Sequence, residues 1–206
     1  MIITFSILIF LFIVIIKKSW IWHIFHREKV IYLTFDDGPQ EELTQKILQI
    51  LQQEDIKATF FCVGDAARRY PHIMEQIREQ GHSIGNHTMH HLNGWRTPHK
   101  EYIQDIQEAQ NYLHARYFRP PYGKITLRQW RALRKDYHII FWTDISYDWS
   151  PKMNPKRCFK KVRSAARHGG IVVFHDNPKA AGNMLEALPL FIHSAKENGM
   201  TFKTFD

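Results

Sequence analysis

The stretch Ile31 to Pro39, IYLTFDDGP, restricts the possible folds more than any other part of the chain. Ile31 to Phe35 has the β-branched and aromatic character of a buried strand, and the strand then breaks on two carboxylates, a glycine and a proline. Proline cannot donate to a ladder, so Gly38-Pro39 ends it. Asp36 and Asp37 thus stand at the C-terminal end of a core strand, where open parallel sheets and barrels hold their ligands. Neighbouring residues on a strand point to opposite faces, so the two carboxylates need a bend to meet in one site. Paired acids suit two tasks, one holding a metal and one moving a proton. A solvated DDGP turn has the same composition, because Asp and Gly are ordinary turn residues.

Downstream, strands alternate with helices. Leu43, Ile47, Ile50 and Leu51 place one apolar face on a helix between Pro39 and Asp55. Lys57 to Val63 reads as a second buried strand, Pro71 to Gly81 as a short helix, and Ser83 to His91 as a strand running into a histidine-rich turn. Helices follow over Pro98 to Arg116 and Thr126 to Lys135, with a strand over Tyr137 to Trp142. The chain closes with a helix from Asn154 to His168, a strand from Ile171 to Phe174 and an amphipathic helix from Ala180 to Asn198. This order predicts an α/β domain with a mainly parallel sheet, either open or closed into a barrel. At 206 residues, one domain accounts for the chain.

The net charge of +8 suits anionic surroundings such as a membrane face or an acidic cell-wall polymer, but an ordinary soluble basic surface has the same charge and is the expected reading. The basic residues read as dispersed, and no nucleic-acid motif is present, so nucleic acid is not an expected partner. Cys62 and Cys158 lie far apart and match no metal spacing; Cys62, within the apolar run Ala58 to Val63, reads as core.

Met1 to Ile16 is almost wholly apolar and closes on Lys17-Lys18. As a helix it would span roughly 24 Å against a hydrocarbon core of about 30 Å, with the lysines, Trp20 and Trp22 at the interface. It lacks the basic start and small-residue cleavage site of a removed signal, so residues 1–22 are expected to form an uncleaved membrane anchor ahead of a catalytic domain at 29–206.

Four further clusters carry polar chemistry. In GNHTMHH, His87 and His91 are four apart, and one helical turn would bring both imidazoles to one side; spacing leaves His90 open in place of His91. Two histidines and a carboxylate make a three-ligand site with a position open to water, the catalytic arrangement for zinc. In FRPPYG two prolines stiffen the backbone around Arg119 and the Tyr122 amide, a guanidinium that can orient a carboxylate and an N–H that can meet an oxyanion. SYDW supplies Asp148 and Trp149, and in IVVFHD a buried strand ends on His175.

Together TFDDGP, HTMHH, RPPYG, the DW pair and the strand-end His175 resemble the polysaccharide deacetylases of carbohydrate esterase family 4, the NodB-like group, from about Lys29 to Phe205. The resemblance implies a distorted (β/α) barrel and a divalent metal, usually zinc with Co²⁺ or another ion as alternatives, held by Asp37, His87 and His91. It implies Asp36 as general base oriented by Arg119, His175 as general acid with Asp148 as its charge partner, and the Tyr122 amide in the oxyanion hole. Pro121, Tyr122, Trp149 and Val173 are expected to line the substrate site, Val173 against the acetyl methyl. Trp95 and Trp142 are further candidates for stacking on sugar rings. Two positions depart from the family pattern: Ile145 stands where an additional aspartate is common, and Val173 where leucine is common.

The activity implied is removal of N-acetyl groups from N-acetylglucosamine residues of a peptidoglycan, chitin-like or exopolysaccharide glycan, with release of acetate. A metal-dependent O-acetyl esterase and a catalytically silent glycan-binding protein are the alternatives. A monomer is expected. Lys17 and Lys18 favour a cytoplasmic domain, whereas a polymeric substrate favours the outer side of a bacterial cytoplasmic membrane, which is the expected location.

Overall fold

In a computed structural model, which describes residues 29–205, the chain begins with β1 (Val30–Asp36), α1 (Glu41–Gln53), β2 (Thr59–Cys62), α2 (Gly64–Arg69) and α3 (Pro71–Glu79). It continues through β3 (Ser83–Asn86), α4 (His99–Leu113), β4 (Tyr117–Phe118), a single 3₁₀ turn at Pro121–Gly123 and α5 (Leu127–Leu133). The last part is β5 (His138–Ile139), β6 (Asp144–Ile145), α6 (Pro155–Val162), α7 (Ala165–His168), β7 (Gly170–His175), α8 (Ala181–Glu197) and β8 (Thr201–Phe202). The expected anchor lies outside the described residues. Among those described, no helix is long and apolar enough to cross a membrane.

All pairings are parallel, in the order β5-β4-β3-β2-β1-β7-β6, with β8 against the first residues of β1. The IYLTFD stretch is therefore an interior strand, flanked by β2 and β7. Its alternation sorts side chains into two layers. Ile31, Leu33 and Phe35 join Phe60, Val172 and Phe174 in the main core, beneath Ile47 and Leu51 of α1 and Phe191 and Ile192 of α8. Each such side chain contributes on the order of 1.5–3 kcal/mol through burial. Tyr32, Thr34 and Asp36 take the opposite face. A second cluster there joins Phe61, Ile140, Ile171 and Phe205, with Tyr32, Tyr117 and Trp142 packed on it. Ile140 follows β5 at one edge and Ile171 lies in β7 near the other, so the sheet curls until its two ends share one interior. Among the described residues no ladder joins β5 to β6, which leaves a half-barrel.

The strand expected from Tyr137 to Trp142 is paired only at His138–Ile139. Beyond it, the carbonyls of Ile140 and Phe141 accept from the Arg119 guanidinium at 3.4 and 3.3 Å instead of from a neighbouring strand. The helix expected from Asn154 to His168 is two helices, α6 and α7. The two-residue strands β4, β6 and β8, and the six-residue α2, were not expected from the sequence pattern.

Candidate active site

Asp36 closes β1 on the inner face and is buried. Arg119, fully buried just past β4, donates from Nη1 to Asp36 Oδ1 at 2.6 Å and to Thr34 Oγ1 at 2.7 Å. Its guanidinium lies 4.0 Å from the centroid of the Phe61 ring. Burial lowers the Arg119 pKa while Asp36 raises it back, so the two charges depend on each other. Arg119 stands immediately before Pro120-Pro121, and Thr34, Asp36 and the Ile140 and Phe141 carbonyls hold its guanidinium.

Asp37 escapes strand alternation through its backbone. Its φ of 80° turns the chain at the strand end and brings the second carboxylate to the same rim as the first. Asp37 Oδ1 lies 3.1 Å from His91 Nε2 and 3.6 Å from His87 Nε2, and one ligand atom from each residue falls within 4.8 Å of the others. His87 is buried, and its Nδ1 lies 2.7 Å from the Arg119 carbonyl. A carbonyl only accepts, so Nδ1 carries the proton and the Nε2 lone pair faces Asp37. His91 Nδ1 is hydrogen-bonded to the Tyr122 hydroxyl at 3.1 Å, so Nε2 is the ring nitrogen that faces Asp37.

Protonation states agree with this geometry. Burial alone would raise the Asp37 carboxyl, but the His91 hydrogen bond and the charges of His87, His175 and His91 hold it well below the usual carboxylate range. Burial lowers His87 to about 4, with Asp36 opposing, so it is neutral near pH 7. One ionised oxygen and two imidazole nitrogens, each braced through its other polar atom, fit a divalent cation of the zinc type.

The histidine motif reaches this arrangement differently from the expected helical turn. Residues 87–91 are irregular, with φ of 68° at Thr88 and 55° at His91. His90, which spacing left open as a ligand, turns away: its Nδ1 pairs with Asp105 Oδ1 at 2.5 Å, while Asp105 Oδ2 accepts from the Met89 and His90 amides.

Across the rim, His175 ends β7 in direct register with Asp36. Asp148, fully buried, accepts from His175 Nδ1 at 2.8 Å and from the His175 amide at 2.9 Å. Burial works against a charged His175, but the Asp148 hydrogen bond and the surrounding carboxylates raise its pKa above the ordinary value. Trp149 sets its edge against the His175 ring at 4.3 Å between centroids. Tyr122, 60% exposed at φ 60°, projects its ring over the mouth, and its amide donates to no acceptor among the described residues. Pro121 is buried beneath it. Val173, expected against the acetyl methyl, sits on the same face between Thr34 and Ile145 in register and is entirely buried. Ile145 keeps the inner position where the family commonly has aspartate; Asp144 pairs with Val172, on the other face. Trp142 lies against Gly123 and 5.9 Å from the Arg119 guanidinium, and Trp95 is 63% exposed with Nε1 on the Ile125 carbonyl.

Three contributors were not anticipated. Thr34 Oγ1 accepts from Arg119 and donates to the Val172 carbonyl. Asn177 Nδ2 donates to Asp37 Oδ2 at 2.6 Å, leaving Oδ1 for the histidines. Its own Oδ1 accepts from the Lys179 and Ala180 amides, which fixes the amide's orientation. Asp176, fully buried, donates its N–H to the Asp36 carbonyl at 2.8 Å and accepts from Thr44 Oγ1 at 2.5 Å. Burial pushes its carboxyl up to about 7, with Thr44 lowering and Asp37 raising it. A Cβ at Gly38 would lie 2.1 Å from Asp176 Oδ2, so only glycine fits there. The Asn177-Pro178 pair after the histidine strand was a turn signal that could have drawn attention to Asn177.

A carboxylate held by arginine, a carboxylate with two imidazoles, and an imidazole held by a carboxylate at one rim form a site suited to metal-assisted hydrolysis. Residues 25–138 match the family model for polysaccharide deacetylases. A peptidoglycan-N-acetylglucosamine deacetylase of Bacillus cereus is 34% identical over 182 residues, 84% of this chain and 65% of that protein. A second protein of that description from the same organism is 31% identical over 193 residues, 89% of each chain. The crystal structure of the Bc1960 peptidoglycan N-acetylglucosamine deacetylase matches with a TM-score of 0.82 at 31% identity, covering 87% of each chain. The chain belongs to the polysaccharide deacetylase family.

Proposed function

We propose that this chain removes N-acetyl groups from N-acetylglucosamine residues of a cell-wall-type glycan, releasing acetate and leaving a free amine on the sugar. The observation that carries the reading is the convergence of Asp36–Arg119, Asp37–His87–His91 and Asp148–His175 on one rim. Asp37, His87 and His91 would hold the metal, for which zinc is our assignment. When bound, a zinc ion supplies Lewis acidity toward the acetyl carbonyl and lowers the pKa of water.

The protein's own residues do the rest. Asp36, kept in one orientation by Arg119, takes the proton of the attacking water. The Tyr122 N–H donates to the oxygen that becomes negative in the tetrahedral intermediate. His175, kept cationic by Asp148, gives its proton to the departing nitrogen as the C–N bond breaks, so amine and acetate leave with protons balanced. Trp149 and the Tyr122 ring flank this path and offer faces to the sugar. We place the reaction on the outer side of a bacterial cytoplasmic membrane, with the chain acting as an anchored monomer. The polymeric nature of such a substrate and the apolar run before Lys17 support that placement.

Mass spectrometry of N-acetylglucosamine oligomers and of O-acetylated xylan, before and after exposure to zinc-loaded protein, tests the function. The expected result is loss of one C2H2O unit per deacetylated sugar in the amino-sugar oligomers. Loss from xylan alone would assign an esterase instead, and loss from neither would contradict a hydrolytic role.

A further inference from the structure

The positive charge, which reads as dispersed along the sequence, is concentrated. Between Lys152 and Arg167 stand seven Lys and Arg and no Asp or Glu. Of the chain's 28 Lys and Arg, these seven leave 21 against 20 Asp and Glu, so this one segment carries nearly the whole net charge of +8. All seven are exposed, and none is in an ion pair with a described carboxylate. On α6, burial of Cys158 and Val162 turns Lys156, Arg157, Lys160 and Lys161 outward. Lys156 and Lys160, like Arg157 and Lys161, are like charges four apart, a spacing that weakens a helix until an anion neutralises it.

This face borders the catalytic rim. Lys161 Nζ lies 5.5 Å from the centroid of the Tyr147 ring. Tyr147 packs on Trp149 at 5.4 Å, and Trp149 on His175 at 4.3 Å. A line of aromatic rings therefore runs from the cationic face to the catalytic imidazole. One extended polymer can occupy both at once, whereas a flat bilayer cannot follow that line into the mouth.

We propose that the α6–α7 face is a subsite for the polyanionic continuation of the glycan strand, binding carboxylates or phosphates carried by the polymer whose acetyl group sits at His175. The inference rests on the deacetylase reading and adds to it that the substrate is an acidic glycan. A surface of this kind raises the local concentration of an oppositely charged substrate and acts on KM more than on kcat.

The test uses the full-length, zinc-loaded protein on two N-acetylated polymers, carboxymethyl chitin as the acidic one and glycol chitin as the neutral one. The triple variant Lys156→Gln, Lys160→Gln, Arg163→Gln is expected to raise KM for carboxymethyl chitin by about tenfold with kcat unchanged, and to leave glycol chitin unaffected. The wild-type preference for the acidic polymer should shrink as salt is raised from about 50 to about 200 mM. The control Lys46→Gln, Lys100→Gln, Lys135→Gln, at exposed positions elsewhere, should change neither KM. Equal KM values for the triple variant and wild type on carboxymethyl chitin would overturn the inference and leave the deacetylase reading intact. So would loss of binding to phosphatidylglycerol vesicles with both KM values unchanged, which would assign the face to a membrane. If the wild type released acetate from neither polymer, the deacetylase reading would fall, and this inference with it.

Discussion

Asp36→Asn is expected to lower acetate release by about 10²-fold or more while the protein still binds its metal, because a neutral amide cannot take the water's proton. Asp37, His87 and His91, the proposed ligands, are untouched by the change. The substitution also carries a folding cost. Arg119 is completely buried, and its partner carboxylate would become an amide, which can still accept but no longer balances the charge. Breaking a buried pair costs on the order of 3–5 kcal/mol. Thr34 Oγ1 and the Ile140 and Phe141 carbonyls still accept from the guanidinium, which places the loss toward the lower end. Rates are therefore compared per metal-loaded, folded molecule. In the wild type the alkaline limb of the pH profile should report His175. Its folded pKa is raised, so the protonated acid persists above the ordinary value of about 6.5, and activity is lost as pH climbs through the raised value. A residual reaction in His175→Ala with an unchanged alkaline limb would show that another group titrates there.

His91→Ala is expected to lose zinc and with it all measurable turnover, whereas His90→Ala keeps both. The two residues are adjacent, and the sequence spacing allowed either. The structure separates them, since His91 Nε2 lies 3.1 Å from Asp37 Oδ1 while His90 is engaged with Asp105. Removing one of three protein ligands leaves too few to retain the ion, while removing the His90 ring leaves the Met89 and His90 amides still bonded to Asp105. Elemental analysis of the purified variants decides the matter; zinc retained in His91→Ala and lost in His90→Ala would reverse the assignment.

What was legible in the sequence was the core strand β1 and the residue types at its end. The run Ile31 to Phe35 is long and apolar enough to announce β1, and the need for a bend at Asp37 followed from strand alternation. How that bend is made was not legible. Asp37, Thr88, His91, Tyr122 and Tyr147 all take positive φ without being glycine, and at Asp37 and His91 that turn accompanies the aiming of a ligand at the centre. No residue-level propensity signals such a conformation, which tertiary contacts must hold in place. The strands β4, β6 and β8 are two residues each, too short for periodicity to register. Asn177 and Asp176 entered only through partners more than 130 positions away, Asp37 and Thr44. The charge of α6 and α7 is present in the sequence, but only the burial of Cys158 and Val162 shows that it forms one exposed face and is not spread around the chain.

The central claim is that Asp37, His87 and His91 hold one divalent ion without which this rim does not remove acetyl groups. The most direct measurement strips the protein with a chelator, adds zinc in sub-stoichiometric steps and follows acetate released from an N-acetylglucosamine oligomer. The account predicts no acetate from the stripped protein, a rise in proportion to added zinc, and a plateau at one ion per chain. Full activity in the stripped, chelated protein, or a chain carrying one zinc that releases no acetate, would contradict it.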